Sequence, residues 1–388
     1  MRNTLQGVLQ ANPFNFGDIA LDEGFTDRER DLAELEADIR NGQNVVVFAP
    51  RRHGKSSLIW RAAQDLIARD EALVAQVDLM RVATKEQLAS KLSQAIYDSI
   101  ATPLLRARDR AARIFESLRV RPVVTVEPMT GNFSFSFAAG HEAGDIDATL
   151  ERLFELPAEL ATERKKRVAV VFDEFQEVIA LDPRLPALMR AVFQTQPHVA
   201  HVYLGSKRSM MQSLFNDVNE PFWRSARQME LGPIPAPEFR RFIQQRFEST
   251  GKRIEERFAD ALLAVTGCHP YGTQELCYAV WEETELEVTD AAVERALDRV
   301  LRAENAHFTY VWDTIPRTQR LVLQALAAQP AGRPLSDEYR SRHGLPAASS
   351  VQRAIGQLVD AELIARHGRG SYAIFEPFLA EWVLRFAA

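Results

Sequence analysis

The sequence feature that most constrains the fold is a short loop between an apolar run and a helical pattern. Residues 49–56 are Ala-Pro-Arg-Arg-His-Gly-Lys-Ser, and the four residues before them are Val-Val-Val-Phe. A continuous run of β-branched and aromatic residues is typical of a strand buried on both faces of a parallel sheet. Gly-Lys-Ser between a strand and a helix matches a phosphate-binding loop, although Ala49 stands where the usual pattern has Gly. The pattern predicts a nucleotide phosphate site on an α/β fold.

The residue types of this loop follow from the geometry of phosphate binding. Backbone N–H groups turn inward around the phosphates, and the next helix directs its positive end toward them. Gly54 permits a backbone conformation that a Cβ would obstruct, Lys55 reaches the β- and γ-phosphates, and the Ser56 hydroxyl binds Mg²⁺. A chance loop is the alternative. The predicted nucleotide-binding residues are Pro50, Arg51, Arg52, His53, Gly54, Lys55, Ser56 and Ser57.

An acidic pair follows a second apolar run. Residues 168–172 are Val-Ala-Val-Val-Phe, and Asp173 and Glu174 come next. Ligands bind at the carboxyl edge of open α/β sheets, so both carboxylates are expected beside the phosphate loop. We predict that Asp173 holds Mg²⁺ and that Glu174 activates the attacking water as a general base. The alternative is an acidic helix N-terminus, which is common after strands.

Strand and helix patterns alternate through the first 230 residues. This rhythm predicts an α/β class with a parallel sheet and helices on both faces. Thr26 and Glu29 form a predicted capping box before the first helix, and Asn41-Gly42 ends that helix. Further strands are predicted at 73–79 and 199–204. The patterns of residues 119–126 and 133–137 predict a hairpin-like insertion whose second strand has one solvent-exposed face.

Composition limits the organisation and the chemistry. A chain of 388 residues is expected to form more than one domain. We predict an N-terminal extension (1–24), an α/β core (25–232, with the insertion at about 119–140), a helical lid (233–312) and a winged helix-turn-helix (313–388). The two cysteines are too few for a disulfide framework or a zinc cluster. A net charge of −6 argues against general polyanion binding, and without a long apolar run we expect a cytoplasmic protein without a membrane segment.

Several stretches together carry a family resemblance. They are Phe25-Thr26-Asp27-Arg28-Glu29, Arg51-Arg52-His53-Gly54-Lys55-Ser56, Phe172-Asp173-Glu174-Phe175-Gln176, Leu204-Gly205-Ser206, Gly267-Cys268-His269-Pro270 and Phe378-Leu379-Ala380-Glu381-Trp382. From about residue 13 to the C-terminus, the chain resembles the prokaryotic, archaeal-type AAA+/STAND P-loop ATPases, which are related to the origin-recognition initiators. The resemblance implies ATP, rather than GTP, with Mg²⁺.

The resemblance also implies roles for three further residues. Ser206 would be the polar sensor near the γ-phosphate, Pro270 would pack near the adenine, and Arg224 (or Arg227) would sense phosphate. Each has a structural alternative: a turn serine, a proline after a helix cap, and a surface arginine. A sensor arginine of the second type is missing from the pattern, which leaves the hydrolysis rate and the oligomeric mechanism open.

The C-terminal segment differs in charge from the rest of the chain. Residues 316–388 contain nine arginines and six acidic residues, a net +3, against −9 for the remainder. The candidate recognition helix begins at Ser349 and is predicted to bury Val351, Ile355, Leu358 and Val359 while it exposes Gln352, Arg353 and Gln357. Arg366 and Arg369 fall on the proposed wing, so duplex DNA is a possible partner. A winged helix that serves as a lid or a protein contact is the alternative.

Three functions remain open at this point. The first is an ATP-hydrolysing conformational switch that binds ATP and ADP. The second is a nucleotide-regulated DNA-binding protein that uses Arg353, Arg366 and Arg369. The third is a signalling or defence scaffold that binds a protein partner through residues 101–147 or the C-terminus. A homo-oligomer is a further possible assembly.

Overall fold

A computed structural model describes residues 11–17, 28–100, 115, 117–126, 133–138 and 142–387. The contacts between Cα atoms divide the chain into two compact units. One, the core unit, comprises Arg28–Arg51 and Lys55–Gly232. The other, the helical unit, comprises Met1–Asp27, Arg52–Gly54 and Pro233–Ala388. The domain boundaries given above stay predictions.

The core unit is built on a five-stranded parallel sheet in the spatial order β2-β5-β6-β1-β7. Every residue of the first and sixth strands is buried, and successive side chains point to opposite faces, so both faces of the sheet are covered. The α/β prediction is confirmed. The strands of this unit are β1 (Val45–Phe48), β2 (Ala72–Asp78), β3 (Val123–Val126), β4 (Phe133–Ser136), β5 (Arg167–Asp173), β6 (Val199–Gly205) and β7 (Arg227–Glu230).

Helices connect these strands and enclose a core rich in aromatic side chains. The first helix ends at Gly42, which is left-handed with φ +71° and caps the helix as predicted. Its N-cap is Arg28, whose side chain makes no cap hydrogen bond, and Thr26 lies outside the described residues. The helices are α1 (Glu29–Asn41), α2 (Lys55–Ala68), α3 (Lys85–Ile100), α4 (Ala143–Arg164), α5 (Glu177–Leu181), α6 (Leu185–Phe193) and α7 (Arg208–Asn216).

The insertion contains the predicted hairpin. Strands β3 and β4 pair antiparallel, with Val124 opposite Phe135. Phe135 is buried and packs on Phe115, while Ser134 and Ser136 are exposed. The solvent-exposed face predicted for the second strand is therefore confirmed.

The helical unit begins with four helices whose apolar faces form one core. Thr289 caps the longest of them, and its hydroxyl accepts the Ala292 N–H. Gly267 ends another in the left-handed conformation, with φ +59°. These helices are α8 (Ala236–Ser249), α9 (Glu256–Thr266), α10 (Pro270–Glu282) and α11 (Asp290–Thr314).

Three helices and a hairpin form the C-terminal part, followed by a last helix. They are α12 (Arg317–Ala328), α13 (Asp337–Arg342), α14 (Ala348–Asp360), β8 (Ile364–Gly368), β9 (Ser371–Ile374) and α15 (Leu379–Phe386). Helix α14 buries Val351, Ile355 and Leu358 as predicted. The prediction for Val359 is wrong: it is 37% exposed, because it lies at the edge of the buried face of the helix, which Ala354 completes instead.

The winged-helix part packs on the preceding helices of the same unit. Trp382 of α15 contacts the rings of Phe308 and Trp312, and its indole N–H donates to Asn305 Oδ1 at 2.8 Å. A Cβ on Gly272 would lie 2.7 Å from Pro377 Cβ, so the first turn of α10 and the segment after β9 approach closely. The two parts therefore share one hydrophobic core.

Two sequence expectations concern the chain as a whole. Cys268 and Cys277 are both free thiols, and burial raises their pKa values. None of the helices among the described residues is both long enough and apolar enough to span a bilayer.

Candidate functional site

The phosphate-loop lysine is the first residue of α2. Lys55 is buried, and its ammonium donates to the carbonyl oxygens of Ala49 at 2.9 Å and Pro50 at 3.1 Å. Gly54 has φ +80°, a conformation that side chains other than glycine rarely adopt. The loop after β1 therefore curls around the ammonium group at the N-terminus of α2, where an anion is favoured.

Two oxygen ligands of the type that Mg²⁺ prefers lie next to this loop. Ser56 Oγ is 3.4 Å from Asp173 Oδ2. Asp173 ends β5 and pairs in register with Asp78 of β2, so two strand ends deliver carboxylates to one edge. Burial raises the pKa of Asp173, and the nearby charges of Glu174 and Asp78 raise it further, although Lys55 opposes them. Accumulated negative charge beside a hydroxyl fits a divalent cation held by Ser56 and Asp173.

The Glu174 carboxylate is held by donors from two directions. Its Oε2 accepts from Ser206 Oγ at 2.8 Å, from the Ser206 backbone N–H at 3.3 Å and from Gln176 Nε2 at 2.5 Å. Burial by itself would raise the pKa of Glu174, but these hydrogen bonds and the charge of Lys55 lower it overall. The donors around Glu174 therefore favour the ionised form of its carboxylate.

Sheet topology explains why Ser206 meets Glu174. Strands β5 and β6 are neighbours, with Phe172 opposite Tyr203, so both chains leave the sheet at the same edge. Glu174 turns sharply there, with φ +52°. The residues predicted from two distant parts of the sequence thus form one cluster within the core unit.

The structure does not bring the predicted arginine into this cluster. Arg224 lies in an exposed turn with φ +50°, and its guanidinium stands 5.3 Å from the centre of the Trp223 ring. No hydrogen bond or ion pair in the described chain joins its side chain to Glu174. Arg227, the alternative, is engaged elsewhere: its Nε donates to Asp38 of α1 at 2.6 Å. A phosphate-sensing role for Arg224 stays a prediction.

The loop tip makes its contacts within the helical unit. The Arg52 guanidinium lies 4.2 Å from the Tyr271 ring centre, and the His53 ring stacks on Phe375 at 5.2 Å and meets His269 edge-on at 4.5 Å. Arg51 is exposed, Pro50 is partly exposed and Ser57 is buried. Pro270 opens α10, where His269 caps the helix by accepting the Gly272 N–H. Its predicted contact with adenine is untested.

Sequence reasoning assigned no role to Gln176 and missed the aromatic contacts of His53. The amide of Gln176 carries no charge and lies outside the phosphate-loop and acidic-pair patterns. Its place at the end of the stretch Phe172-Asp173-Glu174-Phe175-Gln176, which carries the resemblance, was the signal that the sequence offered.

The candidate DNA-binding residues all lie on the surface of the winged-helix part. Arg353 is on α14, Arg366 is on β8, and Arg369 is at the tip of the hairpin. All three side chains are exposed and form no ion pair among the described residues. They are therefore available to an anionic partner.

The parallel sheet, the loop around Lys55 and the acidic pair at the end of β5 define a P-loop ATPase fold. Residues 25–276 match the family model of an ATPase domain predominantly from Archaea, and residues 306–385 match that of a probable winged helix domain. Because the first match covers more than half of the chain, this protein belongs to that family of archaeal-type ATPase domains. The recognition of an archaeal-type ATPase with a C-terminal winged helix is confirmed.

A solved structure agrees with this fold. A Walker-type ATPase from Pyrococcus abyssi is 17% identical with a TM-score of 0.66, and the match covers 96% of this chain and 99% of that one. An ORC1 protein from Aeropyrum pernix, solved in complex with DNA, is 15% identical with a TM-score of 0.48, covering 92% and 91%. No curated protein sequence matches the chain.

Proposed function

We propose that the protein binds ATP with Mg²⁺ and hydrolyses it as a conformational switch. The observation that carries this proposal is the meeting of Lys55, Ser56, Asp173 and Glu174 at one sheet edge, with Ser56 Oγ 3.4 Å from Asp173 Oδ2. A metal-bound triphosphate is the ligand that this combination of a cation, a hydroxyl and carboxylates suits.

Each residue has a separate task in the proposed reaction. Lys55 exchanges its bonds to the loop carbonyls for the β- and γ-phosphates. Ser56 and Asp173 hold the metal, which neutralises charge on the phosphates when bound. Glu174 orients a water molecule and removes its proton, while Ser206 fixes the carboxylate from the neighbouring strand.

Two substitutions separate binding from turnover. Lys55→Ala should abolish ATP binding in a titration with a fluorescent ATP analogue. Glu174→Gln should bind ATP as the wild type does but lose at least about a hundredfold in phosphate release. Lys166→Ala and Glu151→Gln are the matched controls, because they change the same residue types at other positions of the core unit. Undiminished ATP binding by Lys55→Ala, or unchanged phosphate release by Glu174→Gln, refutes the proposed roles.

A second candidate function is duplex DNA binding, which the three exposed arginines of the winged-helix part favour. Each phosphate that the protein contacts contributes about −0.9 to the slope of log K against log salt concentration, so removing one contact should make the slope shallower by about 0.9. The triple variant Arg353→Ala, Arg366→Ala, Arg369→Ala should bind duplex DNA more weakly, with a shallower salt dependence. Arg299→Ala, an exposed arginine of α11, is the control. Equal binding by the triple variant and the wild type excludes this surface.

A further inference from the structure

A buried amide beside the acidic pair has no role in the reaction as described so far. Gln176 is 1% exposed, and its Nε2 donates to Glu174 Oε2 at 2.5 Å. The same nitrogen lies 3.4 Å from Glu177 Oε1. A neutral donor that contacts two carboxylates supports negative charge at this end of β5.

The other end of the same amide is left unsatisfied. Gln176 Oε1 is buried and has no hydrogen-bond partner in the part of the chain that the structure describes. An orphaned buried acceptor costs free energy, and rotation of the amide would place that oxygen against the carboxylate oxygens instead. The orientation of the side chain is therefore fixed by its bond to Glu174.

The neighbouring strand leaves space for this arrangement. A Cβ on Gly205 would stand 2.5 Å from Gln176 Oε1 and 2.4 Å from Met211 Cγ. Any larger residue at the end of β6 would displace the amide or the methionine. Ser206, the next residue, contacts the same Glu174 oxygen with its hydroxyl and its backbone N–H.

We propose that Gln176 is a positioning residue that, with Ser206, fixes the Glu174 carboxylate for its role as general base. The three bonds converge on Oε2, which leaves Oε1 of the same carboxylate to accept the proton of water. The inference rests on the proposed ATP hydrolysis and adds to it the residue that orients the base.

The test is the pH dependence of ATP hydrolysis by Gln176→Leu. We expect kcat to fall about tenfold to a hundredfold, with KM unchanged, because the base is misplaced while nucleotide binding is intact. The acidic limb of the kcat profile should also move to higher pH by about one unit, because a donor to the ionised form is lost.

Gln196→Leu is a matched control for burial and packing. Gln196 is also buried in the core unit, its Nε2 donates to the Phe154 carbonyl at 2.8 Å, and its Oε1 is likewise without a partner among the described residues. This variant should keep the wild-type profile. The proposal is overturned if the acidic limb of Gln176→Leu is unchanged or if its kcat increases. It is also overturned if Gln196→Leu shows the same shift of the acidic limb.

A double-mutant cycle keeps the inference testable if the wild type proves inactive. Glu174→Ala, Gln176→Leu and the double variant are compared by urea unfolding. Coupled residues give non-additive changes in stability, and additive changes overturn the contact. Wild-type protein that binds ATP without releasing phosphate would refute the proposed hydrolysis, while the cycle would still decide whether Gln176 holds Glu174.

Discussion

Lowering the pH from 7 to 5 is expected to destabilise the core unit through one histidine. His201 lies in the middle of β6 and is fully buried. Its ring stacks on Phe193 at 3.9 Å, and its Nδ1 lies 3.2 Å from Asn44 Oδ1. Burial lowers the pKa of His201 from 6.5 to about 3, and the charge of Arg190 contributes.

The sign and the size of the effect follow from this pKa. Above pH 6.5 the imidazole of His201 is neutral in the folded and the unfolded chain, so its full contribution is present. Below pH 6.5 the unfolded chain gains a proton that the folded chain accepts only near pH 3. Each pH unit in this window lowers the free energy of unfolding by about 1.4 kcal/mol, which gives about 2 kcal/mol at pH 5.

The assay compares wild type, His201→Phe and His198→Phe by hydrogen exchange of β6 peptides at pH 7 and pH 5, with intrinsic exchange rates corrected for pH. Phenylalanine fills the ring volume without a titrating group. His198 is exposed and lies three residues from His201, so its replacement should leave the pH dependence of opening intact. In His201→Phe, the fall in the free energy of opening between pH 7 and pH 5 should be smaller than in wild type by about 2 kcal/mol. The same loss of stability in wild type and His201→Phe would refute the argument.

Three further predictions concern the backbone, a buried hydroxyl and a buried carboxyl. Gly42→Ala should destabilise the core unit by about 1–3 kcal/mol, since φ is +71° and the new Cβ would lie 2.7 Å from the Pro197 carbonyl oxygen. Tyr339→Phe should cost the winged-helix part about 1 kcal/mol, because the buried hydroxyl donates to the Ala325 carbonyl at 2.7 Å. Burial raises the pKa of Glu275 to about 7. The contribution of the protonated carboxyl to the stability of the helical unit is complete below pH 4.5 and is lost as the pH rises through 7. Glu275→Gln should therefore stabilise the helical unit at pH 8 but not at pH 4.

Each of these variants has a matched control, and all are measured by urea unfolding. Gly144→Ala changes a helical glycine with open space around it and should be neutral or stabilising. Tyr310→Phe and Glu285→Gln alter exposed side chains in the helical unit. The reasoning on Gly42 is contradicted if Gly42→Ala unfolds at the wild-type urea concentration. The reasoning on Tyr339 is contradicted if Tyr339→Phe and Tyr310→Phe lose equal stability, and that on Glu275 if Glu275→Gln has the same effect at pH 4 and pH 8.

The sequence predicted the parts of the fold that are buried on both sides. The apolar runs of β1, β5 and β6 have no polar face, and each was predicted as a strand. Strand β7 was not predicted, because this strand, at the edge of the described sheet beside β1, buries just Met229 of its four residues.

The candidate site was predictable where charged or hydroxyl side chains directly follow a predicted strand. Asp173 and Glu174 follow an apolar strand, and their approach to Ser56 and Ser206 follows from parallel strands that end at one edge. The contact of Gln176 was not predictable, because its place in the family stretch does not tell which acceptor its amide reaches. Val359 lies one helical turn after the buried Ile355, but the buried face of α14 is centred near Leu358 and leaves Val359 at its edge.

The shared core of the helical unit has a consequence for dissecting the protein. Phe308 and Asn305 belong to α11, yet they complete the surroundings of Trp382 near the C-terminus. A fragment that starts after α11 would present that indole to water. Swapping winged helices between relatives should therefore carry the end of α11 along with the grafted segment, and a graft made at residue 315 should yield insoluble or poorly folded chimeras.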